Sequence, residues 1–109
     1  MAIELTQQNK QTTALVVHDE MTVYTVAAHK RQLTAYLYST EELQLDLSGV
    51  GEIDGAGIQL LMFLKQEAHS RNIALSLTRH SQAVVEALEL LNLSKHFGDP
   101  IVISANWKA

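Results

Sequence analysis

Cysteine is absent from this sequence, which removes disulfides, thiol nucleophiles and thiolate-bound metals together. That absence suits the cytoplasm. Proline occurs once, as Pro100 in the turn-like Gly98-Asp99-Pro100 ahead of the last apolar run. No apolar run approaches the ~20 residues of a membrane-spanning helix. The opening Met1-Ala2-Ile3-Glu4-Leu5 lacks the basic stretch and apolar core of an export signal. Neither direct membrane insertion nor export is expected. Basic clusters are missing as well: 8 Lys and Arg face 12 Asp and Glu, for a formal charge of -4. The cations are scattered, with no run able to displace counterions from a nucleic-acid backbone. Nucleic acid is therefore not an expected partner.

What is present is globular. With 109 residues, 47% of them hydrophobic and 18% charged, the chain has the composition of one ordinary domain and can bury a single core. No internal repeat, low-complexity segment or linker divides it, so residues 1–109 are expected to form one domain.

The hydrophobic spacing outlines the elements. Ile3 to Gln7 alternates apolar and polar residues, Gln7 to Gln11 is turn-like, and Ala14 to His18 is a β-branched run, which suggests two strands that can pair as a hairpin. From Tyr24 to Tyr38 the period becomes helical, with Val26, Leu33, Tyr36 and Leu37 on one face. Leu43-Gln44-Leu45-Asp46-Leu47 alternates strictly, and Ile73 to Leu77 does so more softly, so both are expected as strands. A helix is expected between them over Gly57–Arg71. Ser81 can cap a third helix running to Leu91, and Ile101-Val102-Ile103 closes the chain as a strand. This order demands crossovers and a largely parallel sheet. Alternating strands further imply helices on one face only, because a sheet covered on both faces reads as continuous apolar runs.

The stretch Asp54-Gly55-Ala56-Gly57 is the unusual feature. Asp54 suits a helix N-cap. Glycine in a first turn costs up to about 1 kcal/mol against alanine, so helix propensity does not select it. Either the turn needs a dihedral that only glycine tolerates, or another surface approaches the bare amides. In helical projection Gly57, Leu60, Leu61, Leu64 and Ala68 face the sheet. Ile58 and Met62 point elsewhere, beside Lys65, Gln66 and His69, and Phe63 lies on the opposite flank. Ile58 and Met62 beside the glycine elbow would make a compact docking patch, unless neighbouring loops bury them.

Leu45 to Lys65, with its strand, Asp-Leu-Ser, spacer, Asp54, two small residues, Gly57 and apolar helix, resembles the STAS domain of sulfate transporters and anti-sigma factor antagonists. The likeness runs from about Ala14 to Ile103 and includes Asn92-Leu93-Ser94-Lys95-His96-Phe97. It implies a small α/β fold, a mixed and mostly parallel sheet with helices packed on one face. It also implies a partner switch. In such antagonists the residue before the elbow's glycine is a serine or threonine, phosphorylated by an anti-sigma factor kinase. Here that position is Ala56, which has no hydroxyl to modify. A second reading also follows from resemblance: a small cytoplasmic STAS subunit of a lipid-trafficking ABC transporter, in which alanine can stand before the glycine, binding its ATPase.

Other chemistry fits poorly. Gly49-Val50-Gly51 with Gly55 and Gly57 lacks both the dinucleotide fingerprint and the Lys-Ser/Thr of a phosphate loop, since Ile58-Gln59 follows the last glycine. Of His18, His29, His69, His80 and His96, none pairs with another at i, i+4. His29 falls on an apolar helix stripe, where a hydrogen-bonded, partly buried role is expected, and His69 lies on the helix face with Met62. Asp46 and Asp54 have structural duties, and Ser48 lacks a nucleophile elbow. The expectation is a non-enzymatic protein without cofactor or metal. Its partner-binding residues would be Asp54, Gly55, Ala56, Gly57, Ile58 and Met62, and its partner an anti-sigma factor kinase, a signalling protein or an ABC ATPase. Trp107 in the tail, or an uncovered final strand, offers a route to a homodimer.

Overall fold

The computed structural model describes residues 2–90. The expected end of the third helix at Leu91, the segment Asn92–Phe97, Pro100, the strand Ile101–Ile103 and Trp107 lie outside the described residues. Seven elements follow one another: β1 (Ile3–Gln8), β2 (Thr12–Val17), α1 (Val26–Leu37), β3 (Glu42–Asp46), α2 (Gly55–Ser70), β4 (Ala74–Thr78) and α3 (Gln82–Leu90).

The strands form a sheet in the order β1-β2-β3-β4. β1 and β2 make the expected hairpin, antiparallel, with Ile3 opposite Val17 and a bulge between Leu5 and Gln7. Asn9 closes its turn by accepting the amides of Gln11 and Thr12, both at 2.8 Å, an Asx turn that suits this residue. β2, β3 and β4 are parallel, joined through α1 and α2. The result is the mixed, mostly parallel sheet that the element order implied.

Register explains the core. Leu15 stands beside Leu45, and Leu45 beside Leu77, so one apolar row crosses three strands. Thr13, Leu43 and Leu75 form the next row on the same face. These side chains are buried, whereas Glu42, Gln44 and Asp46, on the alternate positions of β3, are only half-buried. One face of the sheet therefore carries the helices and the other stays wetter, as alternation in the sequence suggests. Complete burial of each leucine contributes about 1.5–3 kcal/mol against exposure.

α1 presents His29, Leu33 and Leu37 to the core, with Val26 and Tyr36 half-buried beside them. His29 is buried and hydrogen-bonded as its stripe position implied, Nε2 lying 2.9 Å from the Glu20 carbonyl oxygen. α2 begins at Gly55 rather than Gly57, because its N-cap Asp54 stands three residues ahead of the apolar stripe. Its far end is also written locally. Asn72 takes a φ of 57°, its amide donates to the His69 carbonyl at 3.2 Å, and the Ile73 amide donates to Ala68 at 2.8 Å. Asparagine tolerates that left-handed cap better than most residues, and Ile73 follows it as the apolar partner. Ser81 caps α3 through its hydroxyl, which accepts the Val84 amide at 3.2 Å.

Candidate partner-docking surface

α1 and α2 both start at the end of the sheet where the parallel strands β2 and β3 finish. Two loops meet there. The Met21 amide donates to the Glu52 carbonyl at 2.9 Å, the Asp54 amide donates to Met21 at 3.2 Å, and Met21 and Ile53 form a short parallel bridge. Asp54 completes the junction with its side chain. One carboxylate oxygen accepts the Gly57 amide at 3.1 Å and the other accepts the Val23 amide at 2.9 Å. The helix cap is thus also a brace on the loop before α1. The Val23 amide foremost, with those of Gly57 and Ala56, holds the Asp54 carboxyl below its ordinary value of 3.8, outweighing the opposing effect of desolvation.

The two elbow glycines have different causes. A Cβ on Gly57 would collide with the Met21 carbonyl oxygen and stand 2.7 Å from Ile53 Cγ1. Gly57 is buried beneath the chain's own loop, so the expectation that its bare backbone faces a partner is corrected. A Cβ on Gly55 would meet nothing within 4 Å, and Gly55 is exposed. Ala56 is half-buried, with its methyl at the edge of an open groove.

The docking patch expected at Ile58 and Met62 is also corrected. Ile58 is 3% exposed and belongs to the core. α2 has α1 on one side and β4 on the other, so its buried arc is wider than the single stripe Gly57, Leu60, Leu61, Leu64 and Ala68. Met62 is half-buried and lines a separate depression of about 640 Å³ with Lys65, Gln66, His69, Ile73 and Leu75, on the flank away from Ala56.

The surface continuous with the open part of the elbow lies between α1 and α2. Val26, Ala27 and Lys30 of α1 face Ala56, Gln59 and Phe63 of α2 across a groove of about 400 Å³. The Lys30 ammonium sits 4.3 Å from the centre of the Phe63 ring, a cation–π contact. On the loop that Asp54 braces, just ahead of Val26, Tyr24 is 90% exposed and Val23 63% exposed. Large apolar side chains this exposed, beside an apolar groove, have the makings of an interaction patch. Sequence reasoning noticed Phe63 on the opposite flank but missed Val23, Tyr24, Ala27 and Lys30. Their union with the elbow depends on a hydrogen bond between residues 31 positions apart, which no local pattern announces.

Several titratable groups elsewhere are engaged in structural contacts. His18 Nε2 lies 2.6 Å from a Glu4 carboxylate oxygen, and His80 is buried. Asp46 accepts the Ser48 amide at 2.8 Å and faces Arg79 at 3.5 Å. Among the described residues no group of three or more His, Asp or Glu is placed to hold a metal ion, and no helix is long and apolar enough to cross a membrane.

Comparison with known proteins accords with this architecture. A family model described as Mlab, STAS domain, matches residues 4–103. No curated protein matches the sequence. Among solved structures, a Thermotoga maritima protein assigned as an anti-sigma factor antagonist superposes with a TM-score of 0.73 at 19% identity, over 86% of this chain and 80% of its own. The anti-sigma factor antagonist SpoIIAA in its unphosphorylated form gives 0.73 at 12% identity, over 96% and 90%. The murine anion transporter Slc26a9 gives 0.73 at 15% identity over 90% of this chain, which spans only 17% of that transporter.

Proposed function

The chain belongs to the Mlab and STAS domain family, and from that premise we propose that it is a non-catalytic, cytoplasmic docking module of the anti-sigma factor antagonist type. The observation that carries this reading is the open side of the elbow. Ala56 lines the α1–α2 groove, Gly55 before it is exposed, and Asp54 ties this helix start to the loop that carries exposed Val23 and Tyr24. The two carboxylates tied to this region are engaged structurally: Asp54 has both oxygens on backbone amides, and Glu20 accepts the Thr22 hydroxyl. That combination suits contact with another protein and leaves no group poised for acid–base work.

The docking surface is Gly55 and Ala56 with Val23, Tyr24, Gln59 and Phe63, braced by Asp54 and by Gly57 beneath it. Ile58 serves the core, and Met62 belongs to the other flank. Ala56 takes the place where antagonists of this type carry the phosphorylated serine or threonine. Its methyl group cannot accept the roughly two negative charges by which a phosphate would repel or reorganise a partner. The module is therefore always competent to bind, and control rests with the state of its partner. Incubation with a cognate anti-sigma factor kinase and labelled ATP should leave the protein unlabelled, while Ala56→Ser should take up label. Label in the unaltered protein at Ser48 or elsewhere near the elbow contradicts the reading.

Ala56 also favours a second reading. In the STAS subunit of a lipid-trafficking ABC transporter alanine can precede the glycine, and there the same surface would clamp the ATPase. Affinity purification from the native host with mass spectrometry separates the two. A histidine-kinase-like anti-sigma factor or signalling complex supports the first, and an ABC ATPase the second. Recovery of the protein alone, at native abundance and after cross-linking, counts against both.

A further inference from the structure

We infer that the segment this surface takes from its partner is an amphipathic α-helix whose apolar stripe is flanked by carboxylates; the inference rests on the docking role proposed above and adds the chemistry of the occupant. The groove is walled by two helices, α1 and α2, whose backbone groups are spent within the helices themselves. An extended segment laid there would find no free ladder of amides and carbonyls and would bury its own unpaired. A helix satisfies its backbone internally and brings only side chains, so it is the form that seats without that cost.

The lining fixes the character of those side chains. Val26, Ala27, Leu60 and Phe63 give an apolar floor and walls, and the loop leading into Val26 carries the large exposed groups Val23 and Tyr24. A row of leucine or phenylalanine at helical spacing complements them. Charge sets the flanks. The chain carries more acids than bases, yet among the described lining residues none is acidic and Lys30 is the charged one. Both helices begin at this end with no acid in the first turn, and Thr25 makes no side-chain cap on α1. The carboxylates at these helix starts are already engaged, Asp54 by the amides of Val23 and Gly57 and Glu20 by the Thr22 hydroxyl, so the charge along the groove itself is the Lys30 ammonium, and a partner helix with Glu or Asp beside its apolar row gains there where a basic one does not.

The probe is a pair of designed helical peptides of about five turns, with the same Leu/Phe stripe, flanked by Glu in one and by Lys in the other. Each is titrated into the ¹⁵N-labelled protein. The Glu peptide should shift the amides of Ala27, Lys30, Ala56, Gln59 and Phe63, with affinity that falls as salt rises. The Lys peptide should bind more weakly. Lys30→Glu should reverse the order, weakening the Glu peptide roughly fivefold while improving its twin. Equal binding of both peptides at the groove, or an unchanged order in Lys30→Glu, overturns the acidic helix but leaves the docking role standing. Shifts of the same amides on dilution without peptide assign the groove to a second copy and also overturn it. If neither peptide touches the groove, the inference fails. Tyr24→Ala then decides the parent reading separately, by whether it weakens the native complex.

Discussion

Gly55 and Gly57, two positions apart, illustrate how the same residue type can serve opposite needs. Gly57 is small because Met21 and Ile53 occupy the space where a side chain would start. Gly57→Ala should therefore destabilise the protein by about 1–3 kcal/mol, the usual cost of overpacking, read from the urea midpoint at unchanged m-value. Gly57→Arg would damage the fold itself and says nothing about docking. Gly55 has open space around its Cα and lies in the first turn of α2. Gly55→Ala should leave stability unchanged or raise it by up to about 1 kcal/mol through the lost flexibility of the unfolded chain. Equal losses in both variants would mean that helix entry, and not the Met21 contact, selects glycine. The pattern of letters in this stretch allowed either a glycine-only dihedral or a close approach against bare backbone, and Gly57 shows the close approach. It could not say that the approaching group at Gly57 belongs to the same molecule.

Helix α2 packs against both α1 and β4. Leu61 and Leu64 are fully buried against the sheet, and Leu61→Ala should cost about 2–5 kcal/mol, checked by chemical denaturation. Asp54 joins this helix to the loop before α1, and that link has a pH dependence of definite sign. The folded carboxyl is held below its ordinary value of 3.8, so its contribution is present above the unfolded pKa near ~3.9 and fades as pH falls through the folded value. The stability gap between wild type and Asp54→Asn should thus be open at neutral pH and close in acid below about pH 4. Salt should narrow it only in part, since the carboxylate is half-buried. A gap that persists unchanged in acid would show that the amides of Val23 and Gly57 do not favour the ionised form.

At this scale the sequence was most informative. Alternation of Leu43, Leu45 and Leu47 gave both the strand and its one oily face. The 3.6-residue spacing of Leu60, Leu61, Leu64 and Ala68 gave the helix and its orientation. The short stripe misplaced Ile58, because projection of one helix does not reveal that neighbours flank it on two sides and widen the buried arc. Val23 and Tyr24 escaped notice for a related reason. Exposed apolar residues in a loop have no period, and only tertiary contact with Asp54 turns them into part of a surface.

Over the whole molecule, the parallel strands place two helix starts side by side and leave the elbow, the braced loop and the groove as one continuous face. The scaffold beneath is a leucine-rich core with structural roles for Asp54 and Gly57. The face above is open, apolar and free of acids among its described lining residues. This division between a rigid floor and a receptive surface is what a module that acts by contact requires, and it places the decisive changes at exposed positions that leave the core intact. The most direct measurement is the affinity of the purified native partner for wild type, Tyr24→Ala and Gln59→Arg, with Gln66→Glu on the far flank as the control and circular dichroism to verify folding. Both groove-side variants should lose at least about tenfold in affinity while the control binds normally. Full affinity in folded Tyr24→Ala and Gln59→Arg would contradict the assignment of this face as the docking surface.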